Sequence, residues 1–207
     1  MVMNSGGLRS LVATALVLSE RPGVRVSLLH IVDGRDNAVA RRDHVRRQIT
    51  HFELPQFREI HLPHLYSPEY GRTADGTLIT RLTMPQMLLS ALSDARLRQA
   101  QRLVWAHAVN ADSQRIATAT EQMQLIEHLS DGEDDPMPHL SAPLLEMTDQ
   151  QVVELGSQMN VPWSLAWACQ RQGNNPCRVC GACRRRSSAF EAAGLEDPID
   201  KPVAISA

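Results

Sequence analysis

The sequence predicts an α/β protein: a doubly wound, mostly parallel sheet with a C-terminal zinc-binding appendage. Three observations lead there. Short apolar or β-branched runs alternate with amphipathic stretches over the first two-thirds of the chain, the pattern of a parallel sheet covered on both faces. A glycine turn, Asn4-Ser5-Gly6-Gly7, separates the first apolar residues from the first helical stretch. All four cysteines fall between Cys169 and Cys183.

Taken in order, Met1 to Met3 is a very short strand. Only three residues precede Asn4, so this strand either continues upstream or is a reduced edge. Ser10 to Leu18 reads as a buried helix. Val24 to Val32 is apolar throughout, as a buried parallel strand is, and Asp33-Gly34 ends it. Ala38 to Ile49 is a helix with a basic face. Phe57 to Leu62 is a strand and Tyr66 to Gly76 a loop. Met84 to Gln101 is a long helix with Met87, Leu88, Ala91, Leu92 and Ala95 on its apolar side. Arg102 to Val109 is a strand, Ser113 to Leu129 a helix, and Asp131 to Pro138 an acidic loop with two prolines. Thr148 and Gln151 form a capping box that opens a helix running to Met159. Arg184 to Ala193 is a closing helix stopped by Gly194. The division expected is an α/β part over 1–140 and a helical segment with the cysteine knuckle over 141–207.

Composition narrows the function classes. The 207 residues are 43% hydrophobic and 21% charged, with a net charge of −2, as in a soluble globular protein rather than a disordered or nucleic-acid-coating one. No apolar run approaches the ~18 residues of a membrane helix. The N-terminus lacks a basic region followed by an apolar core, so a cytoplasmic location is expected. Basic charge comes from 20 arginines and a single lysine, Lys201. Chemistry needing a lysine amine therefore has one candidate.

The cysteines follow Cys169-x7-Cys177-x2-Cys180-x2-Cys183, with Gly173, Asn174, Asn175, Pro176 and Gly181 supplying turns. Two-residue gaps let successive thiolates curl around one ion, and four thiolates suit tetrahedral Zn²⁺. Free thiols, disulfides and an iron–sulfur cluster are the alternatives, although cluster runs usually end with a different spacing. Four protein ligands leave no open position, so such an ion is structural, one per chain. Arg178, Arg184, Arg185 and Arg186 would balance its negative charge.

Ser5-Gly6-Gly7-Leu8-Arg9-Ser10 stands between a strand and a helix. Adjacent glycines let backbone N–H groups approach an anion, and the helix start adds partial positive charge. The plainer reading is a tight connection. No dinucleotide fingerprint or Walker loop is present.

Ser5-Gly6-Gly7-x-x-Ser10 resembles the SGGxDS signature of the PP-loop ATP pyrophosphatases, which have an adenine nucleotide alpha hydrolase-like fold. The stretch from Trp167 to Pro198 is similar to the zinc segment of the 7-cyano-7-deazaguanine synthase family, as is Ala142 to Pro162 to the helix before it. Val109 to Ser113 resembles, more loosely, that family's substrate loop. The resemblance implies an ATP-dependent ligase that activates 7-carboxy-7-deazaguanine, adds ammonia and dehydrates the amide to the nitrile, in the queuosine pathway. It implies ATP with Mg²⁺ at Ser5, Gly6, Gly7, Leu8, Arg9 and Ser10, zinc on Cys169, Cys177, Cys180 and Cys183, and substrate at Asn110 and Asp112. A homodimer is a weaker implication. Neither a membrane nor a direct nucleic-acid partner is implied.

The chain departs from the family at three polar positions. Arg9 replaces the acidic residue of the signature, Asp149 stands where the family has a lysine, and Thr83-Met84-Pro85-Gln86 replaces an Arg-Asn motif. An anion in place of a cation should weaken polyphosphate binding. Two readings remain: a divergent ligase, or a catalytically silent zinc-stabilised scaffold that binds a nucleotide or a protein.

Other residues carry plainer expectations. His61 and His64 read as surface residues at a strand end. His107 reads as a hydrogen-bonded core residue within a strand. Asp112 lies at the ligand side of the sheet and also suits a helix N-cap. Arg41, Arg42, Arg46 and Arg47 read as a solvated helix face. Trp163 and Trp167 read as packing beneath the zinc loop, with stacking on a purine as the alternative.

Overall fold

The computed structural model describes residues 1–20, 23–66, 82–130, 137–173 and 175–200. In chain order these form β1 (Val2–Met3), α1 (Leu8–Glu20), β2 (Ser27–Val32), α2 (Ala38–His51), β3 (Gln56–His61), α3 (Thr83–Leu97), β4 (Arg102–Trp105), α4 (Ser113–Ser130), β5 (His139–Ser141), α5 (Asp149–Gln158) and α6 (Gly181–Ala192). The loops expected at 66–76 and 131–138 fall mostly outside the described residues.

The five strands make one sheet in the order β3-β2-β1-β4-β5, and every pairing is parallel. β1 is therefore no reduced edge. It has two residues and sits at the centre, with Val2 opposite Leu28 and Val104, and Met3 opposite Leu29 and Trp105.

Alternation along the strands sorts the core into two layers. Val2, Leu28 and Val104 face Leu11 and Val12 of α1, Val45 of α2, Val152 and Val153 of α5, and Phe190 of α6. Met3, Leu29, Leu103 and Trp105 face Leu88 and Leu92 of α3 and Ile126 of α4. Helices thus cover both faces, as the sequence predicts. The segment after 140 lies directly on the sheet: α5 and α6 share one apolar cluster with α1. Gly156 permits this closeness, since a Cβ there would stand 2.4 Å from the Trp163 ring.

Several boundaries differ from the sequence reading. β2 begins at Ser27, because β3 supplies backbone partners only from there; Val24 is half exposed. β4 stops at Trp105 rather than Val109. Its neighbours β1 and β5 are too short to extend the ladder, and His107 N–H turns back onto Trp105 O at 2.8 Å. β5 has three residues, too few to show a period, and is absent from the sequence reading. α6 begins three residues early, which places Cys183 within its first turn. The capping box at Thr148 is present as expected, its side chain accepting the Gln151 N–H and the Gln151 side chain accepting the Thr148 N–H. Among the described residues no helix is long and apolar enough to cross a membrane.

Candidate functional site

The strand order reverses direction at β1, between β2 and β4. In open α/β sheets the crevice beyond the strand ends at such a point is the ligand site. The glycine turn lies there, and beside it opens a cavity of about 370 Å³ lined by residues from β1, β2, β4, α1, α5 and α6.

The turn is held from below. Asn4, 2% exposed, donates to Gln48 Oε1 at 2.8 Å and Thr14 Oγ1 at 3.2 Å, and its Oδ1 accepts the Gly6 N–H at 2.8 Å. Gly6 has φ +77°, and a Cβ there would meet the Arg41 carbonyl oxygen at 2.5 Å, so this position requires glycine. The Gly6 carbonyl accepts Trp167 N–H at 2.7 Å. The first helical bond of α1 runs from Leu11 N–H to Gly7 O, which leaves the amides of Leu8, Arg9 and Ser10 before the ladder begins. Ser5, Gly7, Leu8 and Arg9 line the cavity. The Ser10 hydroxyl donates to Gly7 O at 3.0 Å and the residue is buried. The Gly6 N–H is likewise spent on Asn4.

The two charge departures meet each other. Arg9 Nε and Nη2 donate to Asp149 Oδ1 at 3.0 and 2.7 Å, and both residues line the cavity. The anion at 149 is therefore paired with the cation at 9. Asp149 N–H in turn donates to Asn110 Oδ1 at 2.8 Å.

Arg41 corrects the reading of a wholly solvated helix face. It is 6% exposed. Its Nη1 donates to both Asp33 oxygens at 3.1 and 2.9 Å and its Nε to Ser5 O at 3.0 Å. Arg35, which sequence reasoning also missed, pairs with Asp33 as well and lies over the Tyr66 ring, 4.5 Å from its centroid. Burial alone would raise the Asp33 carboxyl; the hydrogen bond from Arg35 and the charges of both arginines instead lower it to about 2. The helical spacing of Arg41 with Val45 and Gln48, all buried, is the sequence signal that marks it as inward-facing.

His107 needs a second correction. It lies past β4 and stacks on Trp105, with centroids 4.4 Å apart and planes 2° from parallel. Burial, then the charges of Arg9 and Arg115, lower its pKa to about 4, so it is neutral at pH 7. His107, Trp105, Arg9 and Arg185 also line a neighbouring cavity of about 430 Å³, which reaches Asn110 and Arg115. Asn110 thus stands at this second cavity, in left-handed backbone with φ +57°. Asp112 acts as the cap of α4, its Oδ1 accepting Arg115 N–H at 3.1 Å. His61 is mostly exposed and His64 contacts Gln86 at 3.0 Å, as surface residues do.

The four cysteines converge. Their sulfurs all lie within 4.8 Å of one another, a set that could hold a metal ion. Cys169 Sγ accepts N–H groups from Arg171 at 3.4 Å and Cys177 at 3.3 Å, and Cys177 Sγ accepts Cys180 N–H at 3.4 Å. Such bonds favour thiolates, and gathering several thiolates needs a cation. Trp167 packs with Cys169 and Cys183 as expected, whereas Trp163 packs edge-on to Phe190 in the main core. Arg186 does not face the sulfurs. It is 4% exposed, donates to Asp197 at 2.6 and 2.8 Å, and also reaches the carbonyls of Ala166 and Trp163. Arg178 contacts Ile199 O at 3.3 Å, and Arg185 lines both cavities.

Comparisons with known proteins agree with this architecture. A family model described as queuosine biosynthesis protein QueC matches residues 112–194. The 7-cyano-7-deazaguanine synthase of Chlorobium chlorochromatii is 26% identical over 219 residues, covering 95% of this chain and 92% of its own. That of Nostoc sp. is 43% identical over 61 residues, 30% of this chain and 27% of its own. Among solved structures, the U34-tRNA thiolase NcsA of Methanococcus maripaludis, with its 4Fe-4S cluster, aligns with TM-score 0.54 at 13% identity, covering 92% of this chain and 62% of its own. The NMN synthetase of Francisella tularensis gives 0.53 at 15%, covering 94% and 76%. These two likenesses concern the fold.

Proposed function

We infer that this chain is a divergent member of the 7-cyano-7-deazaguanine synthase family, as the match over residues 112–194 and the relatives near 26% identity over most of the chain support, and an ATP-dependent ligase acting on a 7-deazapurine carboxylate or a similar acid. Residues 1–140 supply the nucleotide-binding part, and residues 141–207 supply the knuckle, which holds one structural zinc on Cys169, Cys177, Cys180 and Cys183. One observation carries the reading: two cavities at the switch point of the sheet share the wall formed by Arg9, Trp105, His107 and Arg185.

The glycine-turn cavity takes the ATP phosphates, near the amides of Leu8 and Arg9. The second cavity takes the acid, with Asn110 beside it. The carboxylate oxygen attacks the α-phosphorus and pyrophosphate leaves. Ammonia then displaces AMP to give the amide, and a second activation expels AMP to give the nitrile. Guanidinium groups at the shared wall stabilise charge growing on the phosphoryl oxygens. His107, held neutral by burial and by the charges of Arg9 and Arg115, offers a ring nitrogen as a hydrogen-bond partner at the shared wall.

The test is to incubate zinc-loaded protein with ATP, 7-carboxy-7-deazaguanine and ammonium, with and without Mg²⁺, following pyrophosphate release and product mass. Release of pyrophosphate with formation of the nitrile is the expected result. Nucleotide binding without turnover would favour the scaffold reading, which the neutralised Arg9–Asp149 pair and the inward-turned Ser10 also accommodate.

A further inference from the structure

The family resemblance brings in ATP together with Mg²⁺, and the donor set of the glycine-turn cavity does not fit that ion. Mg²⁺ needs oxygen ligands, commonly one or two carboxylates beside the phosphates. Among the described residues lining the cavity the only carboxylate is Asp149, and its Oδ1 holds both Nε and Nη2 of Arg9. A divalent ion on Asp149 would stand against that guanidinium. Asp33 is fully buried beneath Arg35 and Arg41, and Asp197 is held by buried Arg186.

The positive side of the site is abundant. Arg9, Arg35, Arg41, Arg185 and Arg186 all line the cavity. Four of them are matched to the carboxylates just named. Arg185 is exposed and has no carboxylate partner among the described residues. It is carried into the cleft by α6, two residues after Cys183, and lines both cavities. The cavity wall holds one more donor without a partner among the described residues, the indole N–H of Trp167, in a residue 4% exposed. Among the described residues the site therefore offers donors and cations, with no uncommitted carboxylate to hold a metal.

We propose that the cleft binds the polyphosphate of its ligand as the metal-free anion, with Arg185 as the principal counter-charge and Arg9, steadied by Asp149, as the second. This rests on the nucleotide reading above and deepens it. Guanidinium groups meet phosphate oxygens through paired charge-assisted hydrogen bonds and need no ion between.

Titration calorimetry on the zinc-loaded full chain tests it, with ATP and with inorganic pyrophosphate, each in chelator-free buffer depleted of Mg²⁺ and in excess Mg²⁺. The expected result is affinity without Mg²⁺ equal to or higher than with it, because Mg²⁺ masks the charge the arginines recognise. Arg185→Ala should weaken ATP and pyrophosphate about tenfold, the scale of one lost charge-assisted contact. Adenosine affinity and melting temperature should stay unchanged, and Arg185→Lys should recover part of the loss. Tenfold tighter binding in Mg²⁺, or undiminished pyrophosphate affinity in Arg185→Ala, would overturn the proposal. Pyrophosphate binding without ATP binding would remove the nucleotide reading and keep the metal-free anion site. Absence of binding by either probe in either buffer would remove both.

Discussion

The Arg9–Asp149 pair makes a prediction whose size and asymmetry both follow from its position. The two groups are 2.7 Å apart with side chains 31% and 23% exposed. Unit charges about 4 Å apart at an effective dielectric near 20 attract by about 4 kcal/mol. Exposure and the entropy of holding two side chains reduce this to about 1 kcal/mol. Helix ends then split the single variants. Asp149 opens α5, where an anion is favoured by about 0.5 kcal/mol; Arg9 lies in the first turn of α1, where a cation is disfavoured by a similar amount. Asp149→Ala should therefore cost about 1.5 kcal/mol and Arg9→Ala only about 0.5, while the double variant costs about 1, less than Asp149→Ala alone. Urea unfolding of the four proteins at low salt measures the cycle. Additive losses, or a larger loss from Arg9→Ala than from Asp149→Ala, would refute the claim that these residues compensate one another. Exchanging the two residues should retain most of the coupling with little net change from the helix ends, because both positions lie at helix N-termini, where the anion is favoured and the cation disfavoured.

Three further outcomes are expected. Gly6→Ala should destabilise by about 2–4 kcal/mol, since the left-handed backbone and the Arg41 carbonyl both oppose a Cβ; Gly7→Ala, whose Cβ would meet nothing closer than 3.4 Å, should be markedly milder in the same thermal melt. His30 is fully buried and burial, then the charge of Arg41, lowers its pKa from 6.5 to about 4; the unfolded chain takes up that proton first, so the contribution is complete above pH 6.5 and is lost as pH falls to 4, about 3 kcal/mol in all, and a His30→Asn variant should show a flatter pH–stability curve over that window. Metal analysis should find one zinc per chain, and Cys177→Ser should abolish it together with the thermal transition; wild-type stability in a metal-free Cys177→Ser protein would overturn the structural role.

Most of the fold was legible because its signals are local. The apolar run of β2, the apolar stripe of α3, the Thr148 capping box and the cysteine spacing each depend on residues near one another in sequence. What escaped depends on residues brought from elsewhere. β4 ends at Trp105 because its neighbours end, which its own apolar run through Val109 does not reveal. β5 is strand only by pairing with β4. The site divided the same way. The glycine turn and the knuckle are contiguous motifs, and their positions were foreseen. Arg41, Arg35 and His107 join the cleft through contacts with Ser5, Asp33 and Trp105, and no single-stretch pattern announces such meetings, although the inward spacing of Arg41 with Val45 comes close. Arg9 and Asp149 were each visible as an oddity; that the two oddities cancel is a fact of three dimensions.

The bond from Trp167 N–H to Gly6 O, with Phe190 seated beneath α1, has a consequence for the order of events during synthesis. The glycine turn is made well before Trp167, the residue whose backbone braces it. Until Phe190 and Asp197 emerge, α1 has an uncovered apolar flank, and the nascent chain carries a sheet it cannot seal. Synthesis at roughly 5–20 residues per second makes that wait several seconds long. Closure by the segment from Trp167 to Asp197 thus comes after the sheet is made, and a ribosome stalled before Phe190 would leave an intermediate with that apolar flank uncovered.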